Sequence, residues 1–187
     1  MTDFIKYCNE ISPIDDKAKD ELLQCVKFQK FKKGDRVLRP GQVCKHFYFI
    51  HGGLLKLFFY NDDKEFIMHF FSEEMFFTEL SSYVTGNASK YILEALETTE
   101  IYSIHKNDIQ ALCKTHHCME ALFSKLFSFA SIGMMKRISE MLEENGASRY
   151  NNFIKEKDSL IQRISLGDLA CYLGITQVSL SRIRAKK

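Results

Sequence analysis

Residues 164–187 read ISLGDLACYLGITQVSLSRIRAKK, and four of the last six are basic. Whether this is a solvated tail or a surface that meets a polyanion decides the reading of the chain. The stretch divides at Gly174. Before it, Leu166 to Leu173 has the apolar spacing of a short helix, with small Ala170 where a second helix can cross closely. Gly174 supplies the left-handed conformation of a sharp turn, Ile175 an apolar plug, and Thr176 a hydroxyl placed to cap a second helix. The pattern predicts that helix from Gln177 onward. Val178, Leu180 and Ile183 fall toward its inner side; Gln177, Ser181, Arg182, Arg184 and Lys186 face out. Two helices joined this way present the second to the DNA major groove. The basic end is therefore expected to be a surface that meets nucleic acid.

Charge partition agrees. Residues 1–145 hold 18 Lys/Arg against 21 Asp/Glu, a balance of −3, whereas residues 146–187 hold 8 against 3, or +5. A mildly acidic body with a basic end suits a polyanionic partner at that end. The chain as a whole, 45% hydrophobic and 27% charged with two prolines, has the composition of an ordinary folded protein. Its six cysteines are scattered, and MTDFIKYCNE lacks the apolar core of a secretory leader, so reduced thiols and a cytoplasmic location are expected. No unbroken apolar run approaches 18 residues, and no membrane association is expected.

The hydrophobic period changes twice along the body. Residues 13–26 read as a short helix with Pro13 near its start. From Val26 to His105 the pattern is strand-like. Turn signals punctuate it at Gly34-Asp35, Pro40-Gly41, Gly52-Gly53, Asn61-Asp62-Asp63 and Thr98-Thr99. Many short strands of this kind imply a sandwich or roll. His117 to Asn145 then reads as one long helix with two apolar stripes. One runs Phe123, Phe127, Ala130, Met134, Ile138 and Met141; the other runs Leu122, Leu126, Phe129 and Ile132. Two apolar faces need two surfaces to cover them, and a second copy of the chain is the expected second surface, met by the first stripe. Asn145-Gly146 reads as a helix stop, and RYNNFIKEKDSLIQRI as a further helix.

This order resembles the cyclic-AMP-receptor/Fnr (Crp/Fnr) superfamily of transcription regulators, in its compact bacterial branch. The resemblance runs through FKKGDRVLRPGQVCKHFYFIHGGLLKLFF, the NDDKE turn, YILEALE and the segment from Ser148 to Arg184. It implies an α+β fold: a cyclic-nucleotide-binding-like β-roll (jelly roll) over 1–116, a dimerisation helix over 117–145, and a winged-helix-like, truncated helix-turn-helix domain over 146–187. It also implies a homodimer on double-stranded DNA, with RNA polymerase as a further candidate partner, and no enzymatic activity. The family's base-reading positions fall on Gln177, Val178 and Arg182. Thr176, Ser179, Arg184 and Lys186 are placed for phosphates.

In relatives that bind cyclic nucleotides, a Phe-Gly-Glu motif takes the ribose, and an Arg some ten residues on neutralises the phosphate. The matching segment here is FFTELSSYVTGNASKYILEAL. Glu79 matches the acid, Thr78 replaces the Gly, and Ser89 stands at the Arg position with Lys90 beside it. A lysine lacks the planar fork that pairs with phosphate. The resemblance therefore implies a divergent pocket, an effector other than cyclic AMP or none, and no resident cofactor. Three other readings of these residues compete. CKTHHC (113–118) has metal-ligand residue types at spacing poor for one tetrahedral site. His46, His51, His69, His105 and Glu79 could be imagined converging as in a cupin, but without a His-x-His pair. A ligand- or protein-binding module whose helix-turn-helix does not read DNA is the remaining alternative. No metal site is expected.

Overall fold

The computed structural model describes residues 2–185. It opens with α1 (Thr2–Ile11) and α2 (Asp16–Cys25). Asp15 caps α2 by accepting a hydrogen bond from the Ala18 N–H. The strands are β1 (Lys27–Phe31), β2 (Arg36–Leu38), β3 (His46–Gly52), β4 (Leu55–Asn61), β5 (Lys64–Phe71) and β6 (Phe76–Phe77). After a short helix, α3 (Leu80–Thr85), come β7 (Ile92–Ala95) and β8 (Thr99–His105). They pair antiparallel into two four-stranded sheets, β1-β8-β3-β6 and β2-β7-β4-β5, which face each other as a jelly roll.

Several turns arise directly from their residues. Asp62 and Asp63 both take positive φ, 47° and 59°, which matches the twist of the β4–β5 hairpin they connect. Short polar side chains tolerate that conformation at modest cost.

Helices complete the chain: α4 (Lys106–Thr115), α5 (His117–Glu143), α6 (Gly146–Glu156), a 3-10 turn at Asp158–Leu160, α7 (Leu166–Leu173) and α8 (Gln177–Ala185). The sequence stretch 13–26 thus holds α2, while α1 and α4 were not anticipated. Asn145-Gly146 works differently from expectation. Asn145 caps the start of α6 through the N–H groups of Ala147 and Ser148, so the helix stop is also a helix start. RYNNFIKEKDSLIQRI is not one helix, because α6 ends at Glu156.

Three cores stack through the molecule. Between the sheets lie Leu38, Tyr48, Ile50, Leu55, Phe77, Leu93 and Ile101. On the outer face of the first sheet, Phe47, Phe49, Tyr102 and Ile104 meet α1, α2, α4 and the amino-terminal half of α5. On the outer face of the second, Leu54, Phe58, Ile67, Phe70 and Ile92 meet Tyr150, Phe153, Leu160, Leu169 and Tyr172 of the carboxyl-terminal helices. This layering explains why HFYFI and LLKLFF read as almost unbroken apolar runs. Strands covered on both faces have no solvent side to alternate with.

Candidate functional site

The helix-turn-helix is assembled from the residues that suggested it. Ser165 caps α7 through the Asp168 N–H. Gly174 sits at φ 66°, ψ 33°, and its N–H returns to the Ala170 and Cys171 carbonyls, closing α7 in the left-handed manner open to glycine. Ile175 plugs inward against Gly146, where an added Cβ would meet its Cγ2 at 2.6 Å. Thr176 Oγ1 accepts from the Ser179 N–H at 3.1 Å and shares a hydroxyl contact of 2.9 Å with Ser179 Oγ. Both hydroxyls are thereby engaged in starting α8.

Among the described residues of α8 only Leu180 is fully buried. Ile183 is half-buried, but Val178 is 60% exposed, so its expected inward packing is corrected. It shares the outer surface with Gln177, Ser181, Arg182 and Arg184. The Gln177 amide lies over Gly167, where an added Cβ would sit 2.7 Å from its Nε2. Among the described residues neither Arg182 nor Arg184 has a carboxylate partner. Lys186 lies outside the described residues. The result is a helix with uncompensated guanidinium groups and an apolar patch on one accessible side.

The head is fastened to the long helix and to the roll. Arg137 of α5 donates to the Tyr172 carbonyl and lies 4.0 Å over the Tyr172 ring. Arg149 of α6 donates to the Leu173 carbonyl at 2.9 Å and to the Glu144 carbonyl. Cations thus meet the carbonyl end of α7, where its dipole favours them. Lys56 on β4 bridges Glu65 at 2.8 Å and Asp168 of α7 at 2.9 Å. Arg163 forks between Glu73 and Glu97, on the two turns that flank the second sheet.

The structure divides the six stripe residues on α5. Phe123 is 5% exposed and packs edge-on to Phe47, and partly buried Phe127 lies 5.7 Å from the same Phe47 ring, so both turn toward their own roll. Met141 reaches the elbow of the head, its methyl 2.9 Å from where a Gly174 Cβ would stand. Ala130, Met134 and Ile138 remain exposed, joined by Phe129, Ile132, Met135 and Leu142. Met135 and Leu142 were missed because the sequence alone does not say which side of a doubly apolar helix its own domain covers. α5 is also long and apolar enough, by length and composition, to cross a membrane.

The roll segment that the resemblance equated with a cyclic-phosphate site is internally satisfied. Glu79 is buried and caps α3, accepting from the Ser81 and Ser82 N–H groups at 3.1 and 3.0 Å. Ser89, also buried, accepts from the Tyr91 N–H. Lys90 lies over the rings of Phe59 and Tyr91, 4.6 and 5.3 Å from their centroids. The remaining metal-type residues are dispersed in their bonding. His116 pairs with Glu21 at 2.8 Å, Cys118 donates to Asp15, and His117 is exposed. His46 stacks edge-on to His105, while His51 contacts Tyr102 and His69 lies on the opposite sheet beside Phe71.

With the geometry described, comparison with known proteins places the fold. The family model for the cyclic nucleotide-binding domain matches residues 28–116, from β1 to the end of α4. Among solved structures, the c-di-GMP-responsive global regulator CLP of Xanthomonas campestris aligns over 92% of this chain and 91% of its own. The TM-score is 0.72 and the identity 17%. FixK2 from Bradyrhizobium japonicum aligns over 86% and 83%, with TM-score 0.75 and 14% identity. A protein of Eubacterium rectale described as a Crp/Fnr-family transcriptional regulator aligns over 91% and 82%, with TM-score 0.72 and 16% identity. No curated protein matches the sequence.

Proposed function

Since the chain has the fold of the Crp/Fnr regulators around a cyclic nucleotide-binding domain, we propose that it is a DNA-binding transcription regulator. It would act as a cytoplasmic homodimer without enzymatic activity. The observation that carries this reading is the outer side of α8. Gln177, Val178 and Arg182 share an accessible surface, Arg182 and Arg184 lack counter-ions among the described residues, and the Gly174 turn fixes the helix. Arg182 suits a bidentate contact to guanine, Gln177 a contact to adenine, and Val178 a thymine methyl. Arg184 and Lys186 suit phosphates, which set register and make affinity fall steeply with salt. Thr176, exposed, and Ser179, half-buried beside it, keep that assignment at the start of α8.

The proposed organisation is a sensor over 1–116, a dimerisation helix over 117–145 and a reading head over 146–187. Exposed Phe129, Ile132, Met134, Met135, Ile138 and Leu142 support a helix-to-helix dimer. Other residues of α5 speak against a membrane span. Its amino-terminal half is packed against the outer face of the first sheet, and Lys136, Arg137 and Glu140 sit on its other half. Two heads related by a twofold axis would meet half-sites of a pseudo-palindrome about one helical turn, roughly 34 Å, apart. RNA polymerase is the further partner such a complex would engage.

Cyclic AMP is not proposed as the effector. Glu79 commits both carboxylate oxygens to the start of α3, and Ser89 offers no charge where a cyclic phosphate would need one.

The test is selection of bound fragments from random duplex DNA, repeated with Arg182→Ala. The preferred site should lose about 1–3 kcal/mol of discrimination at one base pair of each half-site. Unchanged preference would transfer the head to a protein partner.

A further inference from the structure

A cleft of about 200 Å³ lies where roll, long helix and head converge, apart from both the α8 surface and the interior of the roll. Its walls are β5, α5, α6 and Tyr172 of α7. Four cations line it, Lys136, Arg137, Arg149 and Lys157, against two carboxylates, Glu140 and Glu156. Both carboxylates are already engaged: Glu156 takes Lys136 at 2.9 Å through each oxygen, and Glu140 takes Arg137 at 3.3 Å. Among the described residues, Arg149 donates to main-chain carbonyls alone. Lys157 reaches only the Tyr172 hydroxyl at 3.5 Å, and the rings of Phe153 and Tyr172. Two positive charges are therefore left over on the wall of a concave site.

Two further observations point to an occupant. The His69 imidazole lines the cleft and has no hydrogen-bond partner among the described residues. Burial, then Lys157 and Arg137, push its pKa down to about 3, so at neutral pH it is an uncharged ring able to donate one hydrogen bond. Gly133, in the interior of α5, also lines the cleft, and a Cβ built there meets nothing within 4 Å. Glycine weakens a helix interior, and no packed neighbour requires its small size here. Its effect is to keep the cleft open.

We propose that this cleft binds a small dianion, a compact dicarboxylate or phosphate monoester in size. Arg149 and Lys157 would supply the counter-charge, with His69 giving one neutral hydrogen bond; the Asn152 amide is already committed to the Glu144 carboxylate. An anion so held touches all three parts of the molecule at once.

The experiment follows the histidine ring proton signals of the full-length protein as succinate or inorganic phosphate is added, against sodium chloride at matched ionic strength. One or both probes should move the His69 signal saturably and raise its pKa, because a bound anion offsets the neighbouring cations. The signal of exposed His117 should stay still. Lys157→Gln should weaken binding at least tenfold, and Gly133→Leu, which fills the cleft, should abolish it. A response to succinate but not phosphate, or the reverse, identifies the headgroup. A His69 response equal to that in chloride, or one that persists in both variants, overturns the proposal. Binding is read without DNA, so its failure leaves the assignment of α8 standing.

Discussion

Replacing Arg163 with methionine should loosen the head from the roll. The guanidinium donates to Glu73 at 2.9 and 2.7 Å and to Glu97 at 2.6 and 3.4 Å, a fork with two receivers. Hydrogen bonds to charged groups contribute about 1.5–3 kcal/mol when well buried. Here the three side chains are 24%, 40% and 37% exposed, so solvent screening lowers the expected loss to about 1–2 kcal/mol. For a chain of this size that is a fall of roughly 2–8 °C in Tm. Part of the loss is repulsion between the two carboxylates left facing each other. A double-mutant cycle with Glu97→Gln removes that part, and the coupling should be about 0.5–1 kcal/mol by urea unfolding. Glu97 is the better partner because Glu73 also accepts from the Gly53 N–H.

The clamp has a pH signature. Burial alone would lift the Glu73 carboxyl, but hydrogen bonds from Arg163 and the main chain outweigh it and hold the pKa below 4.5. A depressed carboxyl stabilises the fold above its ordinary pKa and loses that contribution as pH falls through the folded value. The gap between wild type and Arg163→Met should therefore be full above the ordinary carboxylate range and close as pH falls below it, through the depressed value of folded Glu73. A coupling indistinguishable from zero, or a stability gap that stays constant from pH 7 to pH 3, would refute the clamp.

Three other perturbations are informative. Gly174→Ala places a Cβ at positive φ and 2.9 Å from the Met141 methyl, so it should cost about 1–2 kcal/mol and weaken DNA binding; an unchanged urea midpoint would contradict the packing. The His69 pKa of about 3 in the fold, against 6.5 unfolded, means the unfolded chain binds the extra proton. Stability should fall by up to about 1.4 kcal/mol per pH unit below pH 6.5, a slope His69→Phe should flatten. Ile138→Glu on the exposed side of α5 should shift sedimentation toward single chains with little change in helix content, whereas an unaltered mass would argue against that surface as the contact.

Much of the fold was written plainly in the residues. The head was legible because Gly174 and Thr176 are the residue types that a left-handed turn and a cap demand, and their spacing leaves few options. The hairpin at Asp62-Asp63 was legible for the same reason. α4 was not, because its buried side is only Ile109 and Leu112, too short a pattern to stand out. That Phe123 and Phe127 turn toward their own roll was not legible, since a helix with two apolar faces carries no mark of which one its own roll covers. Glu79 showed a different limit: its carboxylate could serve a ligand or a helix start, and only the fold reveals that the Ser81 and Ser82 N–H groups claim it.

The oily seam between β4–β5 and Tyr150, Phe153 and Tyr172 has a mechanical implication. A helical unit glued along such a wall does not dangle like a bead on string; parting it would wet aromatic rings on both sides. Heat should accordingly melt the roll and the carboxyl-terminal helices together in a single cooperative event.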